Sequence, residues 1–153
     1  IAASFVIGLF EETINSMVAL AILMPIVASM GGNAGTQTLT VIVRKLALGE
    51  ISQGDAFRSI KKEISISLMN GFLFAIVMGM IAWAWFDMPM LGVIIGLSMI
   101  INLFMAGFFG AIIPLALKWL KVDPAIGSTV ILTTITDVVG FFSFLGLAKT
   151  ILL

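Results

Sequence analysis

The chain has 153 residues, of which 61% are hydrophobic and only 10% are charged, and its mean hydropathy is +1.23. No water-soluble domain needs so much apolar surface to fill its core, so the composition indicates a protein embedded in a lipid bilayer. The eight basic and eight acidic residues cancel, which leaves no net field to attract nucleic acid. Cysteine and histidine are both absent, which excludes zinc sites, haem ligation, thiol chemistry and imidazole proton relays.

Uncharged runs follow one another along the chain. Ile1 to Phe10 is apolar but reaches only about 15 Å as a helix, so it predicts the end of a truncated first helix. Four longer runs predict full spans: 13–43, which contains an irregular stretch at 31–40, then 64–86, 88–117, and 125–148, interrupted by Asp137 alone. We therefore expect an all-α membrane protein, a five-transmembrane-helix bundle with its first helix truncated, in which residues 1–153 form one transmembrane pore domain.

Seven of the eight basic residues lie in two of the predicted loops, which by the positive-inside rule face the cytoplasm, and only Lys149 lies near the C-terminus. These residues are Arg44, Lys45, Arg58, Lys61 and Lys62 in one loop, and Lys118 and Lys121 in the other. The N-terminal side is then cytoplasmic and the C-terminus emerges outside.

We expect the 45–63 loop to be solvated, Pro124 to open the last helix with Asp123 capping it, and three tryptophans to act as interfacial anchors: Trp83, Trp85 and Trp119.

Asp137 lies roughly 20 Å along a helix from Pro124, deep in the predicted hydrocarbon region. A charge at that depth costs roughly 2.5 to 3.5 kcal/mol even on lenient scales. No basic residue occurs at comparable depth, so we expect the compensating charge to come from outside the chain. A protonated Asp137 hydrogen-bonded to a neighbouring helix is the alternative. Several small or polar residues share its helix face: Thr129, Thr133, Thr136, Gly140 and Ser143.

A second polar stripe precedes the first cytoplasmic loop and can face the stripe of Asp137 across a wet path; its residues are Asn33, Thr36, Gln37, Thr40 and Arg44. Glycines 31, 32 and 35 there could break the helix and expose carbonyls, or could allow close helix packing. We predict these pore-lining residues: Gly32, Asn33, Thr36, Gln37, Thr40, Thr136 and Gly140. We expect interhelical hydrogen bonds from Asn70, Ser98 and Asn102, and a GxxxG contact at Gly92 and Gly96.

Carboxylate, hydroxyl, amide and backbone oxygens suit hard cations such as Mg²⁺ or Ca²⁺. Mg²⁺ sheds water reluctantly and is held by one or two carboxylates, so a symmetric homodimer would match its charge with two copies of Asp137. Glu11 and Glu12 would concentrate cations at an outer entrance, although acidic turns are common at membrane surfaces. We expect membrane lipid and divalent metal ions as further partners, and no nucleic acid.

The leading hypothesis is passive Mg²⁺ conduction down the electrochemical gradient. A gradient-coupled secondary transporter of divalent cations, in which Asp137 exchanges a proton or sodium ion, is the alternative. An intramembrane aspartyl protease needs two membrane-buried aspartates, and there is one here, so we predict no enzymatic activity.

The segment Pro25-Ile-Val-Ala-Ser-Met-Gly-Gly-Asn-Ala-Gly-Thr-Gln-Thr, followed by Arg44-Lys-Leu-Ala-Leu-Gly-Glu-Ile, closely resembles the MgtE-type magnesium channels. The segment Asp137-Val-Val-Gly-Phe-Phe-Ser-Phe-Leu-Gly-Leu-Ala is similar to that family's pore helix. The resemblance implies a dimeric, five-helix, Mg²⁺-selective channel of a bacterial inner membrane, with its pore at the subunit interface and lined by the second and fifth helices. It also implies that Asp137 recognises a hydrated Mg²⁺, with oxygens from Thr133 and Thr129 nearby. The family's cytoplasmic regulatory region, with paired CBS domains, is expected to be absent from this chain.

Overall fold

The computed structural model describes residues 1–51, 55–124 and 127–152, and within these ranges every regular element is an α-helix. The helices are α1 (Ala2–Leu9), α2 (Glu11–Ser16), α3 (Val18–Ala47), α4 (Ala56–Phe86), α5 (Pro89–Trp119) and α6 (Ser128–Leu152). Only the last four are long and apolar enough to cross a membrane in the described part of the chain. The all-α prediction is confirmed. Helices suit a membrane because they form their backbone hydrogen bonds internally, without water.

The two short helices replace the predicted truncated span. Helix α1 ends at Leu9, and Phe10 leaves the helical geometry before α2 begins. Helix α1 packs against α6, where Phe10 and Phe142 meet edge to face with ring centroids 5.8 Å apart. A membrane crossing by this segment stays a prediction.

Helix α5 is the centre of the bundle and contacts α3, α4 and α6. Its buried face carries large aliphatic side chains with no exposed surface, including Leu91, Ile94, Ile95, Met99 and Leu103. Helix α4 packs almost entirely against α5, to which it is joined by a tight turn. Asp87 adopts the left-handed conformation there (φ 54°), and Pro89 stands in the first turn of α5, where its missing N–H removes no hydrogen bond.

Small residues bring α4 and α5 together. A Cβ atom added at Gly92 would lie 2.5 Å from the carbonyl oxygen of Gly79, and one at Gly96 would lie 3.2 Å from that of Ala75. Such backbone approach needs residues without bulky side chains. The predicted contact at Gly92 and Gly96 is thus confirmed.

Three sequence predictions about local structure are wrong. Helix α3 is continuous through the stretch 31–40, which was expected to be irregular. Helix α6 begins at Ser128 after Gly127 (φ 73°), so Pro124 and Asp123 precede its first turn. The 45–63 segment is not simply a solvated loop, because it includes the end of α3 at Ala47 and the start of α4 at Ala56, and because Ile51 and Glu63 are buried; residues 52–54 lie outside the described part.

An ion pair joins α3 and α4 near the ends that we predict to be cytoplasmic. Lys45 Nζ lies 3.5 Å from a carboxylate oxygen of Glu63, whose side chain is only 7% exposed while that of Lys45 is 25% exposed. Trp83, Trp85 and Trp119 are all exposed, as interfacial anchors require.

Candidate ion-binding site

Helices α3 and α6 bring the two polar stripes into contact at Gly32. A Cβ atom added to Gly32 would lie 3.8 Å from Thr133 Cγ2 and 4.0 Å from Thr136 Oγ1. One turn later, Gly35 packs closely against the side chain of Leu132. The glycines of α3 therefore allow α3 and α6 to pack closely. The polar residues of the two stripes lie at the edge of this helix contact.

Asp137 follows Thr136 directly and is half-buried on α6. No hydrogen bond or ion pair to its carboxylate is formed by residues 1–51, 55–124 or 127–152. In those same ranges no three acidic, histidine or cysteine residues group closely enough to hold a metal ion. A cation at Asp137 would therefore meet one carboxylate per chain, with neutral oxygens around it.

Four threonine hydroxyls of the two stripes, those of Thr36, Thr40, Thr133 and Thr136, donate their protons to carbonyls of their own helices. Thr36 Oγ1 donates to the carbonyl of Gly32 at 2.8 Å, and Thr40 Oγ1 to that of Thr36 at 2.8 Å. On α6, Thr133 Oγ1 donates to the carbonyl of Thr129 at 2.9 Å. With the proton committed, each oxygen presents only lone pairs outward. These hydroxyls are therefore set to accept hydrogen bonds from water bound to a cation.

The predicted site residues differ in their accessibility. Those exposed in the protomer are Asn33, Gln37, Thr40, Thr129, Glu11 and Glu12, and those partly exposed are Gly32, Thr36, Thr133 and Asp137. Thr136 and Gly140 are buried between helices, and a Cβ atom at Gly140 would lie 2.7 Å from Asn102 Nδ2. The structure does not place these two on an open face of the protomer, and a pore-lining role for them stays a prediction.

Gln37 lies on the side of α3 that faces α4. There it lines a cleft of about 360 Å³ that also contains Asn70, Lys62 and the Lys45–Glu63 ion pair. Sequence reasoning did not identify this cleft, because residues from two helices of opposite direction form it. The only sequence signal for the cleft is the equal spacing of eight residues from Gln37 to Lys45 on α3 and from Lys62 to Asn70 on α4.

The three predicted interhelical hydrogen bonds have different outcomes. Asn102 Nδ2 donates to the carbonyl of Val27 on α3 at 2.8 Å, which confirms the first. Ser98 Oγ instead donates within its own helix, to Ile94 at 2.7 Å. Asn70 is exposed and forms no side-chain hydrogen bond with any described residue. The predictions for Ser98 and Asn70 are therefore wrong.

Comparison with known proteins identifies the family of the chain. The sequence model of the MgtE family, described as a divalent cation transporter, matches residues 24–147. The chain is 34% identical over 143 residues to the magnesium transporter MgtE of Bacillus subtilis, which covers 94% of this chain and 32% of that protein. It is 33% identical over 144 residues to the magnesium transporter MgtE of Thermus thermophilus, with 94% and 32% covered. It thus spans about a third of the length of these relatives. The chain belongs to the MgtE family of divalent cation transporters.

Proposed function

We propose that this chain forms the pore of a magnesium channel, which conducts Mg²⁺ down its electrochemical gradient across a bacterial plasma membrane. The observation that carries the proposal is Asp137, a half-buried carboxylate with no partner among the described residues, on a helix that meets the α3 stripe at Gly32. An ionisable residue at membrane depth commonly marks an ion path, and a mobile cation would supply the partner that this carboxylate lacks. The names of the relatives support Mg²⁺ as that cation.

Recognition of a hydrated ion follows from the chemistry of the neighbouring oxygens. Mg²⁺ holds its inner water shell tightly and is usually bound through one or two carboxylates. The hydroxyls of Thr133 and Thr36 have already donated their protons, so they accept hydrogen bonds from the ion's water molecules. Asp137 then supplies charge, while Thr133 and Thr129, one and two turns before it on α6, supply acceptor oxygens.

A homodimer completes the charge balance. One Asp137 supplies a single negative charge, and two copies about a symmetry axis would match the two positive charges of Mg²⁺. The exposed residues Asn33 and Thr40 on α3 would then line the pore between protomers, and Glu11 and Glu12 would attract cations at the outer opening. In this arrangement α1, which is too short to cross a membrane by itself, belongs to a fifth crossing of each subunit, the N-terminal side is cytoplasmic, and cytoplasmic regulatory domains of the full-length protein control opening.

The test replaces one carboxylate with its isosteric amide. The full-length Asp137→Asn protein is reconstituted in liposomes that contain a Mg²⁺-sensitive dye, and influx is measured under an imposed negative-inside potential. We expect influx to fall at least tenfold, because the amide removes the charge that balances the ion; 1.4 kcal/mol of lost interaction gives that factor. Asp87→Asn is the matched control, since asparagine tolerates the left-handed conformation at that turn.

Two outcomes would contradict the proposal. Influx of Asp137→Asn equal to that of the parent would remove Asp137 from the ion path. Influx that requires a proton or sodium gradient would favour the gradient-coupled secondary transporter. The continuous α3 helix does not provide the broken segment on which such transporters commonly rely.

A further inference from the structure

Asn102 occupies the point where α3, α5 and α6 meet. It extends from α5, has no exposed surface, and donates through Nδ2 to the Val27 carbonyl on α3. Glycines face its amide from both neighbouring helices. A Cβ atom at Gly31 would lie 2.7 Å from Asn102 Cγ, and one at Gly140 would lie 2.7 Å from Nδ2. The amide therefore fills a space that α3 and α6 both leave open for it.

Stability does not explain why this side chain is an amide. Its Oδ1 atom is buried without a hydrogen-bond partner among the described residues. The free energy lost by burying that oxygen is comparable to what the Nδ2 hydrogen bond contributes. Leucine has nearly the same shape and would fill the space at no polar cost. A buried polar group retained without a gain in stability is best attested as a device that fixes the register of packed helices.

The register that Asn102 fixes is that of the two polar stripes. Gly31 directly precedes Gly32, whose surface meets Thr133 and Thr136. Gly140 stands three residues after Asp137, so both lie within one turn of α6. A slide or rotation of α3 against α6 at the amide would change the separation of Gly32 from Thr133 and the direction in which Asp137 points.

We propose that Asn102 is a positioning residue that sets the α3–α6 register and thereby the geometry of the Asp137 site. Its consequence for transport rests on the function proposed above, whereas its effect on register does not. The two can be measured separately, because proximity of α3 and α6 has a chemical readout that is independent of ion flux.

The first experiment measures register by disulfide formation. The double substitution Gly32→Cys/Thr133→Cys places two thiols where a Cβ atom added to Gly32 would lie 3.8 Å from Thr133 Cγ2, so that the two sulfur atoms can approach each other for oxidation. The 153 residues of this chain contain no cysteine, and any cysteine elsewhere in the full-length protein is first replaced by serine. In the full-length protein in liposomes, Asn102→Leu is expected to slow cross-linking about fivefold, the change in population that loss of one hydrogen bond produces. The matched control is Asn70→Leu, the same substitution at an exposed amide, with an unchanged rate.

The second experiment measures transport with the native Gly32 and Thr133. Asn102→Leu is expected to keep the thermal midpoint of the parent in detergent while its ratio of Mg²⁺ to Ca²⁺ influx falls severalfold. A purely structural role would lower the midpoint and reduce both fluxes in proportion. An unchanged cross-linking rate in Asn102→Leu overturns the proposal, whatever the fluxes are. A slowed rate, combined with parental flux in Asp137→Asn, supports the register and refutes the channel function instead.

A second variant keeps the test decisive if Asn102→Leu does not fold. Gly140→Ala adds a methyl group that would lie 2.7 Å from Nδ2, so it displaces the amide from the opposite side. It is expected to slow the same cross-link, whereas Gly8→Ala, whose methyl group would meet no atom within 4 Å, is expected to leave the rate unchanged. Parental cross-linking in Gly140→Ala overturns the proposal.

Discussion

Replacing Lys45 with methionine tests the ion pair between α3 and α4. Methionine keeps the apolar stem but removes the ammonium group, so the Glu63 carboxylate, only 7% exposed, loses its partner. Breaking a fully buried pair from one side costs roughly 3 to 5 kcal/mol. Because Lys45 is 25% exposed and water reaches its end of the pair, we expect a smaller loss of about 2 kcal/mol in the free energy of unfolding.

The reverse substitution should cost less. Glu63→Gln leaves Lys45 with a flexible stem that can carry its charge to water, so the expected loss is about 0.5 to 1 kcal/mol. The double variant Lys45→Met/Glu63→Gln should recover most of the loss seen in Lys45→Met, because no unpaired buried charge remains.

Thermal or denaturant unfolding of the full-length protein in detergent supplies both single values and the coupling energy. Lys62→Met is the control, since Lys62 has no ion-pair or hydrogen-bond partner in the described ranges, and it should change stability by less than about 0.5 kcal/mol. Equal losses in Lys45→Met and in the double variant would refute the reasoning, since the carboxylate would then not depend on its partner.

Gly92→Ala should destabilise the α4–α5 contact by about 1 to 3 kcal/mol, because its methyl group would lie 2.5 Å from the Gly79 carbonyl oxygen. Gly8→Ala, which meets no atom within 4 Å, should cause no loss of the thermal midpoint; equal midpoints for the two variants would contradict this packing. Trp85 and Trp119, 78% and 75% exposed, should each be quenched more strongly by lipids brominated near the headgroup than by lipids brominated near the chain end. Stronger quenching by the deeper bromines would argue against their role as anchors.

The long helices were predictable because the bilayer leaves the backbone few alternatives. The run 64–86 marks α4 and the run 88–117 marks α5, but α4 already begins at Ala56. The length of an uncharged run reflects the thickness of the hydrocarbon layer and not the length of the helix, because a helix can continue through charged residues beyond that layer. For this reason the burial of Glu63 in α4 was missed.

The glycines of α3 show where sequence reasoning stops. Gly31 and Gly35 fit both a broken helix and a tight contact, because a missing Cβ permits either. The side chains that decide the matter are Asn102 and Leu132, which lie on other helices far along the chain. Asp137 was identifiable because its cost in lipid depends on depth alone, whereas the burial of Gly140 depends on which helix α6 meets.

The close joining of α4 and α5 has a consequence for biogenesis. Asp87 and Met88 connect the two helices, and the Gly79–Gly92 approach lies just beyond this turn, so all these contacts are local in sequence. Local contacts form quickly during folding. The hairpin can therefore leave the translocon already assembled, and its α5 face is then available to α6, which is synthesised later and packs against both α3 and α5.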